Sequence, residues 1–303
     1  MSASHLLVTA WDWEPSVVVG CAALLAGYAL AWRSMLSSGR EDPSPGAARA
    51  VPFDGSPTDR SSGFAPLRAL VFLSGVLVLL FALVSPLDTL GDSYLFSAHM
   101  AQHMLLVEIV PPLLLIGVPS ALFAQVLRCR PVAGVERWLG RPVVAWPVGV
   151  VTLWAWHAPS LYEAALHHGS IHVLQHLSFL VAWTIFWWPV IAPLAERQRL
   201  SSWAAIGYLL LGSLATSVLG IILTFSPASI YPSYLHPVDR LGLLPLIWGQ
   251  WGLTPAVDQR LGGGLMWMLG GSVFLLAILG TYARWNAETD GDLEAEDPVL
   301  AVR

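Results

Sequence analysis

Residues 95–118 read LFSAHMAQHMLLVEIVPPLLLIGV, and the fold follows from this stretch most directly. An α-helix of this length spans the roughly 30 Å hydrocarbon core of a bilayer, because each residue advances the helix by about 1.5 Å. The stretch contains one acidic residue, Glu108, and no arginine or lysine. It therefore predicts a membrane-spanning helix. His99 and His103 are ionisable groups inside that helix, where such residues commonly serve a function.

The composition of the whole chain agrees with a membrane protein. Of its 303 residues, 55% are hydrophobic and 12% are charged, whereas soluble domains carry about 25% charged residues. The mean hydropathy is +0.63. These values exclude an intrinsically disordered chain and disfavour a soluble enzyme. The formal net charge of −5 provides no basic surface for nucleic acid, so no nucleic-acid partner is predicted.

Seven apolar stretches of spanning length predict an all-α, polytopic membrane protein. They are residues 15–32, 66–84, 95–118, 142–157, 172–191, 201–225 and 263–282. The N-terminal segment and the second, fourth and sixth connections between spans together contain only two of the 15 basic residues, Arg240 and Arg260. The other 13 lie in the alternate connections and at the C-terminal end. The positive-inside rule therefore predicts an outer N-terminus and a cytoplasmic C-terminus.

The connections divide the chain into four predicted parts. Residues 1–32 form an outer N-terminal segment with the first span, and residues 66–285 form a six-span membrane domain. Residues 33–65 are rich in Pro, Gly, Ser and Ala, which predicts a flexible cytoplasmic linker. Residues 286–303 are acidic and polar, which predicts a disordered tail.

All nine histidines fall on the outer side of this predicted topology. His99 and His103 are four residues apart and therefore share one face of their helix. His172 and His176 repeat this spacing on another span, and His157 lies at the outer end of a third one. If the two pairs face each other, these side chains form a metal site.

Methionine suggests which metal the site would hold. Met100 and Met104 follow the two histidines of residues 95–118 directly. Imidazole and thioether form a soft ligand set that favours copper, especially Cu(I), over Mg²⁺, Ca²⁺ or Mn²⁺. Zinc is the second choice, because its protein ligands are Cys, His and carboxylate rather than Met.

Three polar residues are predicted to support the site or the packing around it. A bare carboxylate at the depth of Glu108 is costly, so this group should face protein, be paired or be protonated. Asp258 precedes a glycine-rich run and could orient a ligating imidazole or cap a helix. Gln102, between the two histidines of its span, joins this group. Pro111 and Pro112 should kink or break the span.

Several motifs of the chain resemble those of the polytopic CtaG-like cytochrome c oxidase assembly factors. They are SAHMAQHMLL at 97–106, PPLL at 111–114, WHAPSLY at 156–162, WWP at 187–189, and DQ at 258–259 with the glycines of 262–264. The resemblance runs from residue 85 to residue 282. It implies a role in the maturation of haem-copper oxidases by delivery of copper, with His99, His103, His157, His172 and His176 as the functional histidines. The implied partners are oxidase subunits, an extracytoplasmic copper chaperone and membrane lipid.

The prediction is therefore a non-enzymatic assembly factor that binds Cu(I) in an outward-facing His/Met site and passes it to the oxidase. Three alternatives stay open at this point. A zinc-dependent intramembrane hydrolase would use the same histidines to activate water. A b-type haem protein would hold haem between the two histidine pairs. A non-metal scaffold for oxidase assembly would use the histidines only for packing.

Overall fold

The computed structural model describes residues 10–38, 61–194, 197 and 200–296, and these residues form helices and the connections between them, with no strand among them. In chain order the helices are α1 Pro15–Ser38, α2 Ser61–Val84, α3 Pro86–Ser93, α4 Phe96–Gly117, α5 Ser120–Val126, α6 Arg130–Leu139, α7 Pro142–Trp156, α8 Pro159–His167, α9 Gly169–Ile191, α10 Ser202–Phe225 and α11 Pro255–Glu296. Several of them begin at proline, whose missing N–H and fixed φ suit the first helical position.

Six helices of the described chain are long and apolar enough to cross a membrane, which confirms an all-helical, multi-pass organisation. The six lie within α1, α2, α4, α9, α10 and α11. The remaining predicted span, residues 142–157, corresponds to α7, which is apolar but has only 15 residues. A helix of that length is about 22 Å long.

The structure differs from the predicted linker and tail at their ends. Helix α1 continues to Ser38 and α2 begins at Ser61, so only residues 39–60 of the predicted linker lie outside the described chain. Helix α11 continues to Glu296, so residues 286–296 are helical where disorder was predicted, and residues 297–303 lie outside the described chain. Side-chain pairs four residues apart favour this extension. Arg284 Nε lies 3.9 Å from Glu288 Oε1, and Asn286 Nδ2 donates to Asp290 Oδ2 at 3.1 Å.

Helix α4 contains a π-helical turn, Leu105–Ile109, in place of the predicted kink or break. The turn directly precedes Pro111 and Pro112, which cannot donate backbone hydrogen bonds to the preceding turn. A π turn is a common way to absorb such a mismatch within a helix. The indole of Trp187 on α9 donates to the carbonyl of Val107 at 3.1 Å. This bond supplies a donor where the prolines remove one, and α4 continues to Gly117.

An aromatic core holds α9 against α10 and α11. Trp187 stacks on Phe274 of α11 with ring centroids 5.6 Å apart. Phe186 packs against Tyr208 of α10 at 4.9 Å, and the Tyr208 hydroxyl donates to the Phe186 carbonyl at 2.8 Å. Trp183 completes the cluster and is fully buried. Because Tyr208 finds its partner on the α9 backbone, the core buries a hydroxyl group without leaving it unpaired.

Helices α10 and α11 approach closely at glycine. A Cβ on Gly263 would contact the backbone nitrogen of Thr224 and lie 2.8 Å from the carbonyl oxygen of Gly220. Small residues at such positions let membrane helices pack backbone to backbone. The next residue, Gly264, has nothing within 4 Å of the corresponding position.

This pair of neighbouring glycines gives a matched test of the packing. We expect Gly263→Ala to destabilise the protein by about 1–3 kcal/mol, because the added methyl forces α10 and α11 apart. Gly264→Ala places the same methyl in open space and should leave the thermal midpoint unchanged or raise it. Thermal unfolding in detergent measures both. Equal midpoints for the two variants would contradict the close approach at Gly263.

Candidate metal centre

The five histidines singled out from the sequence lie together at one end of the helical bundle. Within α4 the ring centroids of His99 and His103 are 4.3 Å apart, and within α9 those of His172 and His176 are 4.1 Å apart. Between the helices, His99 lies 5.6 Å from His172 and His103 lies 5.7 Å from His176. His157, at the C-terminal end of α7, lies 5.6 Å from His103. The two pairs therefore face each other.

The start of α4 is held by a carboxylate from α11. Asp258 accepts hydrogen bonds from the backbone N–H groups of Phe96 and Ser97, at 2.7 and 3.1 Å, and from the Ser97 hydroxyl. These are donors that the first turn of a helix cannot pair internally. Of the two roles predicted for Asp258, the structure therefore places it in helix capping, although it caps α4 rather than its own helix.

Gln102 also has a supporting position. Its side-chain amide donates to the carbonyl of Ala82 on α2 at 2.9 Å and to the carboxylate of Asp88 on α3. These contacts fix the side of α4 that faces away from α9. They connect α4 to α2 and α3 without touching an imidazole.

Asp92 is a site residue that the sequence reasoning did not single out. Its carboxylate oxygens lie 3.3 Å from His172 Nδ1 and 3.6 Å from His99 Nδ1. Burial, with Asp88 close by, raises the pKa of Asp92 to about 8. A proton therefore competes with any cation for this carboxylate near neutral pH.

The turn between α3 and α4 explains how Asp92 reaches the histidines. A Cβ on Gly91 would lie 3.0 Å from the backbone nitrogen and Cα of His99. A side chain at Gly91 would make a tight contact, so α3 or α4 would have to shift by a few tenths of an ångström to admit it. Nothing in the local spacing of Asp92 predicted it, because the contact depends on how α3 folds back on α4.

The imidazole nitrogens of the cluster are buried and largely unpaired. His157 Nδ1 lies 2.7 Å from the carbonyl of Leu153, which can only accept, so this nitrogen carries the proton and Nε2 keeps its lone pair. Within the described chain, no hydrogen-bond partner reaches the Nε2 atoms of His103, His157, His172 and His176, or Nδ1 of His103. His99 lies beside the Gly91 backbone and the Gln175 side chain but forms no hydrogen bond of good geometry with them. Each unpaired buried polar group costs about 1–3 kcal/mol. Such a concentration of lone pairs suits a metal ion.

Two sets of donors are close enough to share an ion. His99, His103 and His176 each offer one ring nitrogen, and these atoms lie within 4.8 Å of one another. Asp92, His99 and His172 form a second set with the same property. Imidazole nitrogens bind Zn²⁺ at about 2.0–2.1 Å, so donors that lie this close to one another can reach a common ion.

The methionines face a different neighbour from the imidazoles. A Cβ on Gly262 of α11 would lie 3.2 Å from Met100 Cγ, and one on Gly270 would lie 3.0 Å from Met104 Cε. Glu108 extends to the same glycine, with Oε1 2.8 Å from that position. The predicted His/Met layer is thus divided, with imidazoles towards α7 and α9 and thioethers towards α11.

Glu108 is buried in the π turn of α4, and neither carboxyl oxygen has a hydrogen-bond partner among the residues described. The prediction that this group faces protein is thus met, through its contact with α11 at Gly270. Glu108 therefore lies on the thioether side of α4.

Aromatic side chains that were not predicted as site residues close the cluster. Tyr162 of α8 is fully buried, with its ring 5.1 Å from that of His99, and Phe179 of α9 lies 4.7 Å from His103. Tyr231, in the connection after α10, donates its hydroxyl to the His157 carbonyl at 2.8 Å. Tyr234 donates to the Gly91 carbonyl at 2.7 Å. The connection between α10 and α11 therefore covers the histidines.

The capping role of Asp258 leads to a stability prediction. Asp258→Ala should lower the free energy of unfolding by about 1–2 kcal/mol, because the first N–H groups of α4 lose their acceptor. Asp258→Asn keeps one side-chain oxygen and should lose less. Thermal unfolding of the purified variants measures the difference. An alanine variant as stable as the parent would contradict the capping role.

Comparison with known proteins places the chain beside one family and several relatives. A family described as "cytochrome c oxidase caa3 assembly factor" matches residues 56–288 of the chain. Uncharacterised proteins of Mycobacterium bovis and Mycobacterium tuberculosis are each 25% identical over 263 residues, which cover 78% of this chain and 38% of the relative. One from Mycobacterium leprae is 26% identical over 236 residues, covering 72% and 34%. The chain spans less than two fifths of the length of these relatives. No solved structure matches it.

Proposed function

The chain belongs to the cytochrome c oxidase caa3 assembly factor family, and we propose that it carries Cu(I) to the oxidase during assembly. The observation that supports this proposal is the cluster of five imidazoles, in which Nε2 of His103, His157, His172 and His176 has no hydrogen-bond partner among the described residues. Neutral nitrogen donors suit a monovalent, soft ion such as Cu(I). The chain would act by ligand exchange, without catalysis.

The proposed ligands are the ring nitrogens of His99, His103 and His176, with His157 beside them. All four side chains are buried, which keeps water from competing for the ion. His157 is held in the tautomer that leaves Nε2 available, because Leu153 accepts its other ring proton. Met100 and Met104 are assigned to the packing against α11 rather than to the ion, because a carbon atom of each side chain lies beside a glycine of that helix.

The proposed topology has seven crossings in the bacterial inner membrane, with α7 as the short one. Arg141 precedes α7 and His157 follows it, so polar residues lie at both ends of a stretch of about 22 Å. The arginine distribution then supports an outer N-terminus and a cytoplasmic C-terminus. In this orientation the end of the bundle that carries the histidine cluster faces the outer side, and the partly exposed side chains of Asp92 and His172 are the part of it that an extracytoplasmic copper chaperone or the oxidase subunits would reach.

The ligand assignment predicts which variants lose copper. The purified protein should retain about one Cu(I) per chain after anaerobic loading, and His103→Ala/His176→Ala should lose most of it, because two of the three proposed ligands are gone. Elemental analysis after desalting measures the ratio. The matched control is His167→Ala/His168→Ala, which removes two exposed histidines outside the cluster and should keep its copper.

The same loading experiment separates the alternatives. Met100→Leu/Met104→Leu should retain copper, and a loss of copper there would restore the combined His/Met site. Zinc in place of copper in the protein as purified would favour the zinc hydrolase. Equally low metal in the parent and in the histidine variant would favour the scaffold, and a Soret band would favour the haem protein.

The proposed topology can be tested at Cys129, which is exposed, whereas Cys21 is buried. Cys129 lies between α5 and α6, in a connection that we assign to the cytoplasm. A membrane-impermeant maleimide should therefore leave it unlabelled in intact cells and label it after lysis. His236→Cys, between α10 and α11, should be labelled in intact cells. The reverse pattern would invert the topology.

A further inference from the structure

We propose that the histidine cluster holds one metal ion in either of two positions that share His99. The inner position is formed by His99, His103 and His176, and the outer position by Asp92, His99 and His172. The outer position would be where Cu(I) first binds and from which it leaves. This inference rests on the proposed function and adds to it the route of the ion.

The distances around Asp92 are compatible with three donors that share one ion. Asp92 lies 3.3 Å from His172 Nδ1 and 3.6 Å from His99 Nδ1. Hydrogen bonds between N–H and oxygen are usually 2.7–3.2 Å long. Two ligands bound at about 2.0–2.1 Å in a tetrahedral arrangement lie about 3.3–3.4 Å apart. Small side-chain rotations would therefore bring these donors to a common ion.

The two positions differ in their access to water. In the outer set, the side chain of Asp92 is 34% exposed and that of His172 is 15% exposed. In the inner set, His99 and His103 are fully buried and His176 is 9% exposed. An ion arriving from the outer side would therefore meet Asp92 and His172 first.

His99 makes the two positions mutually exclusive. A neutral imidazole has one ring nitrogen with a free lone pair, so it binds one ion at a time. The ion would keep His99 while exchanging Asp92 and His172 for His103 and His176. The rings of His172 and His176 are 4.1 Å apart, and those of His99 and His103 are 4.3 Å apart. An ion that stays about 2.0–2.1 Å from one His99 nitrogen can move by no more than about 4 Å, so the exchange is a short shift between neighbouring sets of ligands.

Ligand chemistry gives the exchange a direction. A carboxylate is a hard ligand and binds the soft Cu(I) ion less well than an imidazole does. The inner set replaces this carboxylate by a third imidazole, so the ion should rest in the inner position. The weaker outer position then allows rapid arrival, and it exposes the ion to the ligands of an acceptor.

The test measures the rate and the affinity of copper binding separately. The full chain in detergent is mixed anaerobically with Cu(I) held by a coloured chelator, and the exchange is followed by stopped-flow absorbance. Asp92→Asn and His172→Ala should slow both uptake and release about tenfold, which corresponds to about 1.4 kcal/mol of activation free energy. Their equilibrium affinity should stay near that of the parent, whereas His176→Ala should lower the affinity strongly.

Two variants distinguish a ligand role of the outer set from a general effect of charge on copper uptake. Glu163→Gln removes a carboxylate that contacts Ser233 and His167 outside the cluster, and it should leave both rates unchanged. His172→Ala removes a ligand without removing a negative charge, so slow uptake in this variant excludes simple electrostatic attraction by Asp92. Circular dichroism and gel filtration establish that each variant is folded. If His172→Ala is not folded, the rates of Asp92→Asn alone test the proposal.

Three results would overturn the two-position site. The parent could bind two copper ions at once, the outer variants could lose as much affinity as His176→Ala, or they could exchange copper at the parent's rate. A parent that binds no Cu(I) would instead refute the proposed function. Failure of the two-position site and failure of the proposed function are distinguishable. The former is seen only with a parent that binds copper, as a changed stoichiometry or as unexpected behaviour of the variants.

Discussion

Keeping several imidazole nitrogens without hydrogen-bond partners inside an apolar bundle is the constraint on which the rest of this structure depends. Each buried ring nitrogen without a partner opposes folding, so neighbouring helices must hold the rings in place. The capping of α4 by Asp258, the amide contacts of Gln102 and the Leu153 carbonyl at His157 all serve this purpose. None of these groups occupies the imidazole lone pairs that remain free. The supporting groups therefore hold the helix backbones and the outer edges of the rings, and the unpaired ring nitrogens are left facing one another.

The π turn of α4 shows how packing and the site are related. Pro111 and Pro112 remove backbone donors from the middle of the helix, and Trp187 supplies one to the carbonyl of Val107. The same tryptophan stacks on Phe274 of α11. A single side chain thus connects α4, α9 and α11 below the histidine cluster. The two helices that carry the histidine pairs are held at a common depth by a contact that lies outside the site.

The sequence predicted the parts of this arrangement that depend on local periodicity. Span positions follow from runs of apolar residues, and the face-sharing of His99 with His103 follows from four-residue spacing. The helical extension of α11 also had a visible signal in Arg284 and Glu288, which stand four residues apart. The position of Asp92 had none, because it depends on a turn between α3 and α4. Met100 is rotated by about 100° from His99 around the helix axis. Which neighbouring helix each of the two side chains contacts depends on tertiary packing, so the sequence did not predict it.

Gly91 has a consequence for how this protein can vary among its relatives. It carries no side-chain donor, yet a methyl group there would lie 3.0 Å from the backbone of His99 and require α3 or α4 to shift by a few tenths of an ångström. Asp92 would move with α3, and so would the carbonyl that receives the Tyr234 hydroxyl. A relative with a larger residue here would therefore keep every histidine and still differ in the distance between Asp92 and the imidazoles. This glycine belongs with the five histidines when relatives of the protein are compared.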